Sequence, residues 1–164
     1  MGNVPLYDPN KPGHAPAHLR RNRILTDPFE PGSTFKVIAA AAVLEDELVT
    51  TDERVFCEDG ELILDDGGII RDVHPYGLLS YREVLEKSSN IGIIKFTRRL
   101  KRKRFYEYIR NFGFGIRSGV GLPAESAGLL EHASNWSDRS LETIAMGQEV
   151  GTTAIQLVQA FGAI

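Results

Sequence analysis

Apolar and polar positions divide the 164-residue chain into an irregular start and a helical remainder. Over 1–30 no period persists. Pro5, Pro9, Pro12, Gly13, Pro16 and Pro28 interrupt every run, so this stretch reads as an irregular arm. Pro31-Gly32 then opens Ser33-Thr34-Phe35-Lys36, followed by Val37-Ile38-Ala39-Ala40-Ala41-Ala42-Val43-Leu44, apolar on every side. A buried helix reads this way, and the pattern predicts one over 33–48. Two hairpin signals follow. Val55-Phe56-Cys57 and Leu62-Ile63-Leu64 flank Asp59-Gly60; Ile63-Leu64 and Ile69-Ile70 flank Asp65-Asp66-Gly67-Gly68. Sharing a strand, they predict a three-stranded flap. Ser80-Tyr81-Arg82-Glu83 has the form of a capping box and starts a short helix ending near Lys87. Ile91, Ile94, Thr97 and Leu100 carry helix spacing into a third helix. Arg104–Phe112 is a fourth, stopped by Gly113. Residues 113–130 are a Gly-rich loop, and Thr152 or Thr153 caps a last helix through Phe161. The organisation is thus an arm, 1–30, and a helical part, 31–164.

Composition narrows the class. Hydrophobic residues at 42% and charged residues at 25% suit one ordinary core. A net charge of -3 gives no general attraction to nucleic acid. No apolar run approaches the roughly 18 residues that a membrane span needs. The single cysteine, Cys57, cannot form an internal disulfide and reads as a small apolar filler. His14, His18, His74 and His132 lack metal-ligand spacing. The basic run Arg98–Arg104 reads as a solvated helix face in preference to a site for an anionic partner such as lipid headgroups or glycan phosphates, and Asp65-Asp66 before two glycines as a turn. Gly113-Phe114-Gly115 lacks the strand-turn-helix frame of a nucleotide site.

The chemistry lies at Ser33 and Lys36. Positions i and i+3 share a helix face, so the hydroxyl and the amine can meet. A hydroxyl is a poor nucleophile until a base takes its proton. A lysine becomes that base when burial lowers its pKa. With nine Ser and six Lys, chance alone gives roughly a third of a Ser-x-x-Lys match. An isolated match is therefore a capping serine and a solvated lysine. Context changes this: the serine sits where Pro-Gly ends a loop, the helix is apolar all round, and Ser88-Ser89-Asn90 follows between two helical patterns.

These two motifs resemble the first two of three that define penicillin-recognising serine enzymes. Tyr7-Asp8-Pro9-Asn10, Arg21-Asn22-Arg23, Phe29–Lys36, Glu86–Gly92 and Gly147-Gln148 are similar to class B penicillin-binding proteins. The septal, cell-division type of peptidoglycan D,D-transpeptidase resembles the chain most, over about Asn3 to Ile164. The third motif, Lys-Thr/Ser-Gly, is absent from these residues. The resemblance implies a segment of a transpeptidase domain, cut at both ends, with Met1-Gly2 a cloning remnant. The fold it implies is mainly α with a small antiparallel β flap, the helical part of the α/β transpeptidase fold without its five-stranded sheet.

The family reaction implies roles. Ser33 attacks the penultimate carbonyl of a D-Ala-D-Ala stem, and Lys36 is the base. Ser88 relays a proton to the leaving amine, and Asn90 holds Lys36 and the substrate amide. The Ser33 amide is a natural half of an oxyanion hole. No cofactor or metal is implied. The partners are peptidoglycan peptide stems, β-lactams and cell-division proteins, not nucleic acid. The location implied is the bacterial cytoplasmic membrane, facing the periplasm or cell exterior. The segment alone is expected to be inactive. Two alternatives stand beside this reading. One is a β-lactam sensor or β-lactamase, for which Glu125 and Glu131 lie downstream; the string Leu122–Gly128 looks like the transpeptidase version. The other is a non-catalytic helical interaction module. The 37–44 helix would lack cover on its sheet side, so a homo-oligomer with Phe35, Ile38 or Val43 near the contact is expected.

Overall fold

An apolar helix with little amphipathicity must be covered by its neighbours on most sides, and the fold is arranged around one. The computed structural model describes Gly2 and residues 4–164; Met1, half of the expected remnant, lies outside the described residues. In chain order the elements are α1 (Arg23–Thr26), α2 (Lys36–Glu45), β1 (Arg54–Phe56), β2 (Glu61–Ile63), β3 (Ile69–Arg71), β4 (Leu78–Ser80), α3 (Tyr81–Glu86), α4 (Asn90–Thr97), α5 (Arg102–Asn111), α6 (Ser140–Ala145) and α7 (Ala154–Phe161). The chain is mainly helical, and its only strands among the described residues are two short antiparallel pairs.

Helix α2 is the centre. It packs against α3, α4, α5 and α6. Phe35, Ile38, Ala39, Ala42 and Val43 are completely buried. Four side chains of α4, Ile91, Ile93, Ile94 and Phe96, are equally inaccessible. Each large aliphatic or aromatic side chain so buried contributes about 1.5–3 kcal/mol. Phe35 meets Phe114 edge-on at 5.0 Å, and Tyr81 meets Phe96 at 5.1 Å. This corrects the expectation that Phe35, Ile38 or Val43 faces a second copy, because the chain's own helices cover them. What α2 leaves open is a different stripe, at i, i+4 and i+7: Val37 and Ala41 are half-buried and Leu44 is exposed.

Boundaries follow local chemistry. The α-helix begins at Lys36, not at Ser33, because Gly32–Phe35 is a 3-10 turn. It ends at Glu45 rather than 48, where Glu47 takes a left-handed φ of 54°. Ser80 and Glu83 make both bonds of the predicted capping box. Thr153 and Gln156 make a second one at α7. Gly113, at φ 91°, follows α5 as expected. The arm holds elements that the prolines concealed: two 3-10 turns, Pro12–His14 and Ala17–Leu19, and α1, which is capped by the Asn22 side chain and packs on α7.

The flap differs from expectation. β2 and β3 form the second predicted hairpin, pairing Leu62 with Ile70. β1, however, pairs with β4, Val55 opposite Leu79, so two separate pairs replace one three-stranded sheet. Glu58 and Asp59 both adopt positive φ in a 3-10 turn, which turns the chain out of line with β1. The Cys57 amide then donates to the Gly77 carbonyl at 2.8 Å and extends the β1–β4 pairing.

Candidate functional site

The turn that carries Ser33 is held by a close backbone approach. The Gly32 amide donates to the Gly147 carbonyl at 3.0 Å. Gly147 has φ 83°, and a Cβ there would lie 2.1 Å from the Gly32 carbonyl oxygen. Only glycine satisfies both demands. The supports continue outward. Phe29 and Thr152 exchange backbone hydrogen bonds of 2.9 and 2.8 Å, and the Glu149 amide donates to Glu30 Oε1 at 3.0 Å. Thr34 Oγ1 donates back to the Pro31 carbonyl at 2.8 Å. Ser33 is exposed on this braced turn, and its hydroxyl makes no hydrogen bond among the described residues.

Lys36, one turn on, points into the protein and is only 2% exposed. Its Nζ donates to the Ser88 carbonyl oxygen and, at 3.0 Å, to Ser88 Oγ. Desolvation by burial lowers its pKa to about 8, with the nearby Asp72 charge acting in the opposite sense. Cys57 is fully buried near the same turn, where desolvation pushes its thiol up.

Ser88 can present both oxygens because of its backbone. It follows α3 with φ 54°, a left-handed conformation that is uncommon for a non-glycine residue. The Ser88 and Ser89 amides close back on the Leu85 and Val84 carbonyls, as at a left-handed helix C-terminus. Ser89 is buried and caps α4 by accepting from the Gly92 amide at 2.9 Å. Asn90 is the first residue of α4. Its Nδ2 donates to the Arg71 carbonyl at 2.8 Å, so β3 holds this side chain. The structure therefore joins Lys36 to Ser88 directly. The expected Asn90–Lys36 hydrogen bond is not made, because Lys36 bonds to Ser88 and the Asn90 amide to Arg71.

Sequence reasoning missed Asp72. Its Oδ2 accepts from Ser89 Oγ at 2.6 Å, and its Oδ1 accepts from the Asn90 amide and, at 3.2 Å, from the Ile91 amide. A helix N-terminus favours such an anion. No local pattern signals it, because Asp72 lies 18 residues before Asn90, in a polar stretch after β3.

Other candidates are occupied. Glu125 is buried and accepts from the Ser118 amide, and the Ser118 side chain first, with that amide, holds its carboxyl below the usual range. It braces a loop. In the basic run, Arg98 pairs with Glu142, Arg99 with Glu53, Arg102 with Asp138 and Arg104 with Asp46. These pairs tie α5 and its preceding bend to other elements. The Asp65–Gly68 turn is confirmed by the Asp66 Oδ1 bond to the Gly68 amide at 3.0 Å.

Comparisons with known proteins bear on family and fold. The family model described as the penicillin-binding protein transpeptidase domain matches residues 1–164. The chain is 34% identical over 164 residues to the probable peptidoglycan D,D-transpeptidase PenA of Neisseria gonorrhoeae, covering 100% of this chain and 28% of the relative. It is 36% identical over 168 residues to the penicillin-binding protein PbpB of Mycobacterium tuberculosis, covering 100% and 24%. Thus the chain spans about a quarter of the length of these relatives. Among solved structures, the TP domain of Burkholderia pseudomallei penicillin-binding protein 3 superposes with a TM-score of 0.85 at 34% identity, over 88% of this chain and 43% of that one.

Proposed function

The chain belongs to the penicillin-binding protein transpeptidase family, and on that premise we propose that it carries the nucleophile and base of a serine D,D-transpeptidase. Ser33 Oγ attacks the penultimate carbonyl of a D-Ala-D-Ala stem and forms an ester. The C–N bond to the terminal D-alanine breaks. Lys36 takes the Ser33 proton, and Ser88 passes a proton to the departing amine. An amine from a neighbouring stem then attacks the ester, regenerating Ser33. A β-lactam acylates the same oxygen, its ring amide opening in place of the peptide bond.

The observation that carries this reading is the state of Lys36. A buried amine with a pKa near 8 is neutral in about a tenth of molecules at pH 7, where an ordinary lysine is almost never so. In its neutral form the amine has two N–H donors and one lone pair. Both donors have acceptors on Ser88, so the lone pair is left to receive a proton. Ser33, exposed one turn earlier, supplies the hydroxyl. Its amide lies in the first turn, where backbone donors lack intrahelical partners, and suits half of an oxyanion hole.

Three finer statements belong to the same proposal. The role is septal cell-wall synthesis beside cell-division proteins. The working location is the outer side of the bacterial cytoplasmic membrane, although no helix among the described residues is long and apolar enough to cross a membrane. The 164 residues alone acylate negligibly, because no Lys-Thr/Ser-Gly string is among them to clamp the substrate. The test is a fluorescent penicillin applied to the full-length protein and to Ser33→Ala. Labelling that survives Ser33→Ala contradicts the proposal and favours another nucleophile.

A further inference from the structure

We propose that Asp72 is a positioning residue of this site: its carboxylate seats the Ser88–Asn90 turn on α4 and holds the field under which Lys36 works. This rests on the reading of Lys36 as the base. The geometry is a two-handed grip. One oxygen takes the Ser89 hydroxyl and the other takes the Asn90 and Ile91 amides. The residue between Ser88 and Asn90 is thereby fixed from outside the helix. Ser88, on its N-terminal side, is the residue whose two oxygens hold Lys36.

Asp72 is itself anchored. Its amide donates to the Gly60 carbonyl at 3.0 Å, and Arg71 before it accepts from Asn90 Nδ2. The tip of the same hairpin is tied to the residue before α6 by the Asp66–Arg139 ion pair. The β2–β3 hairpin is therefore a bracket. Its tip is fastened near α6, and the stretch following β3 grips the start of α4.

The second half of the inference is electrostatic. Among the described residues Asp72 is the charged group that bears on Lys36, and it favours the ammonium. The hydrogen-bond acceptors of Nζ among the described residues are the two Ser88 oxygens, which are uncharged. Burial and Asp72 thus oppose each other, and the carboxylate keeps the lysine from falling further. A cap alone would need only the amide contacts, whereas this carboxylate also raises the pH at which the buried Lys36 loses its proton.

The experiment is an NMR titration of the Lys36 side chain in this chain, as wild type, Asp72→Asn and Asp72→Glu. In Asp72→Asn the Lys36 midpoint moves to lower pH, by about 0.5 or more. Asp72→Glu, which keeps the charge, restores most of that shift. In the wild type the Asn90 and Ile91 amides are protected from hydrogen exchange, a measurement that needs no variant. A Lys36 midpoint in Asp72→Asn that superimposes on wild type overturns the inference, as does free exchange of both amides. Penicillin labelling of the same variants in the full-length protein separates the two claims. If Ser33 is never labelled while the Lys36 midpoint moves, the transpeptidase reading fails and the role of Asp72 stands.

Discussion

Lys36 and Ser88, 52 residues apart, are joined by two hydrogen bonds from one amine, to the Ser88 carbonyl and to its hydroxyl. That contact ties the first turn of α2 to the turn before α4. It brings the two sequence motifs into one site. It also explains why a serine occupies a left-handed position that glycine or asparagine usually takes, since glycine would supply the carbonyl and lose the hydroxyl.

The first expected outcome is a lysine that titrates early. The Lys36 amine should show a midpoint of about 8, against 10.5 for an ordinary lysine. The folded pKa lies below the unfolded one, so between pH 8 and 10.5 the unfolded chain binds more protons. Stability therefore rises with pH across that window, and below about 8 the full penalty of the buried charge is present. Side-chain NMR and denaturation at a series of pH values check this; a midpoint near 10.5 contradicts it.

From the same burial, Lys36→Met should leave the fold at least as stable as wild type at pH 7. A buried charge is replaced by an apolar chain of similar length. Urea unfolding of this chain checks the outcome. A loss of more than about 2 kcal/mol would show that the Ser88 bonds outweigh desolvation.

Lys36→Arg addresses the base directly. A guanidinium stays protonated at any accessible pH, so β-lactam acylation of the full-length protein should fall far more than tenfold. Retention of acylation within about tenfold, roughly 1.4 kcal/mol of barrier, would remove Lys36 from the base role.

The turn under Ser33 has its own test. Gly147→Ala places a methyl 2.1 Å from the Gly32 carbonyl oxygen, at a backbone φ of 83°. Strain of this kind costs of order 1–3 kcal/mol, and relief requires the Ser33 turn to move. Thermal unfolding should show the loss, and acylation should fall with it. A variant of wild-type stability would mean that the two loops separate freely.

Where the sequence was informative, the signal was local. Ser80 with Glu83, Thr153 with Gln156, and Gly113 each carry their structural reason within four residues, and the helix ends fall beside them. The Ser33, Lys36, Ser88 and Asn90 motifs were legible as strings, but their mutual geometry was not. The grip of Asp72 on Ser89 and Asn90 spans 17 and 18 residues. Strand pairing failed for a related reason. Both partners available to Val55 are apolar, and only the positive-φ turn at Glu58-Asp59 decides in favour of Leu79. Helix α6 escaped because no side chain caps it and it is only six residues long. The buried Gln156 shows the limit again. Its amide nitrogen serves the Gly113, Ile116 and Ala127 carbonyls, a task invisible in the sequence around it.

The most direct test of the account is the site of covalent attachment. Full-length protein treated with a β-lactam and digested should yield one modified peptide, with the added mass on Ser33. Occupancy should rise with pH as Lys36 loses its proton around pH 8. Modification at any other residue, or stoichiometric modification that Ser33→Ala leaves intact, would contradict the claim that Ser33 and Lys36 form the acylating pair.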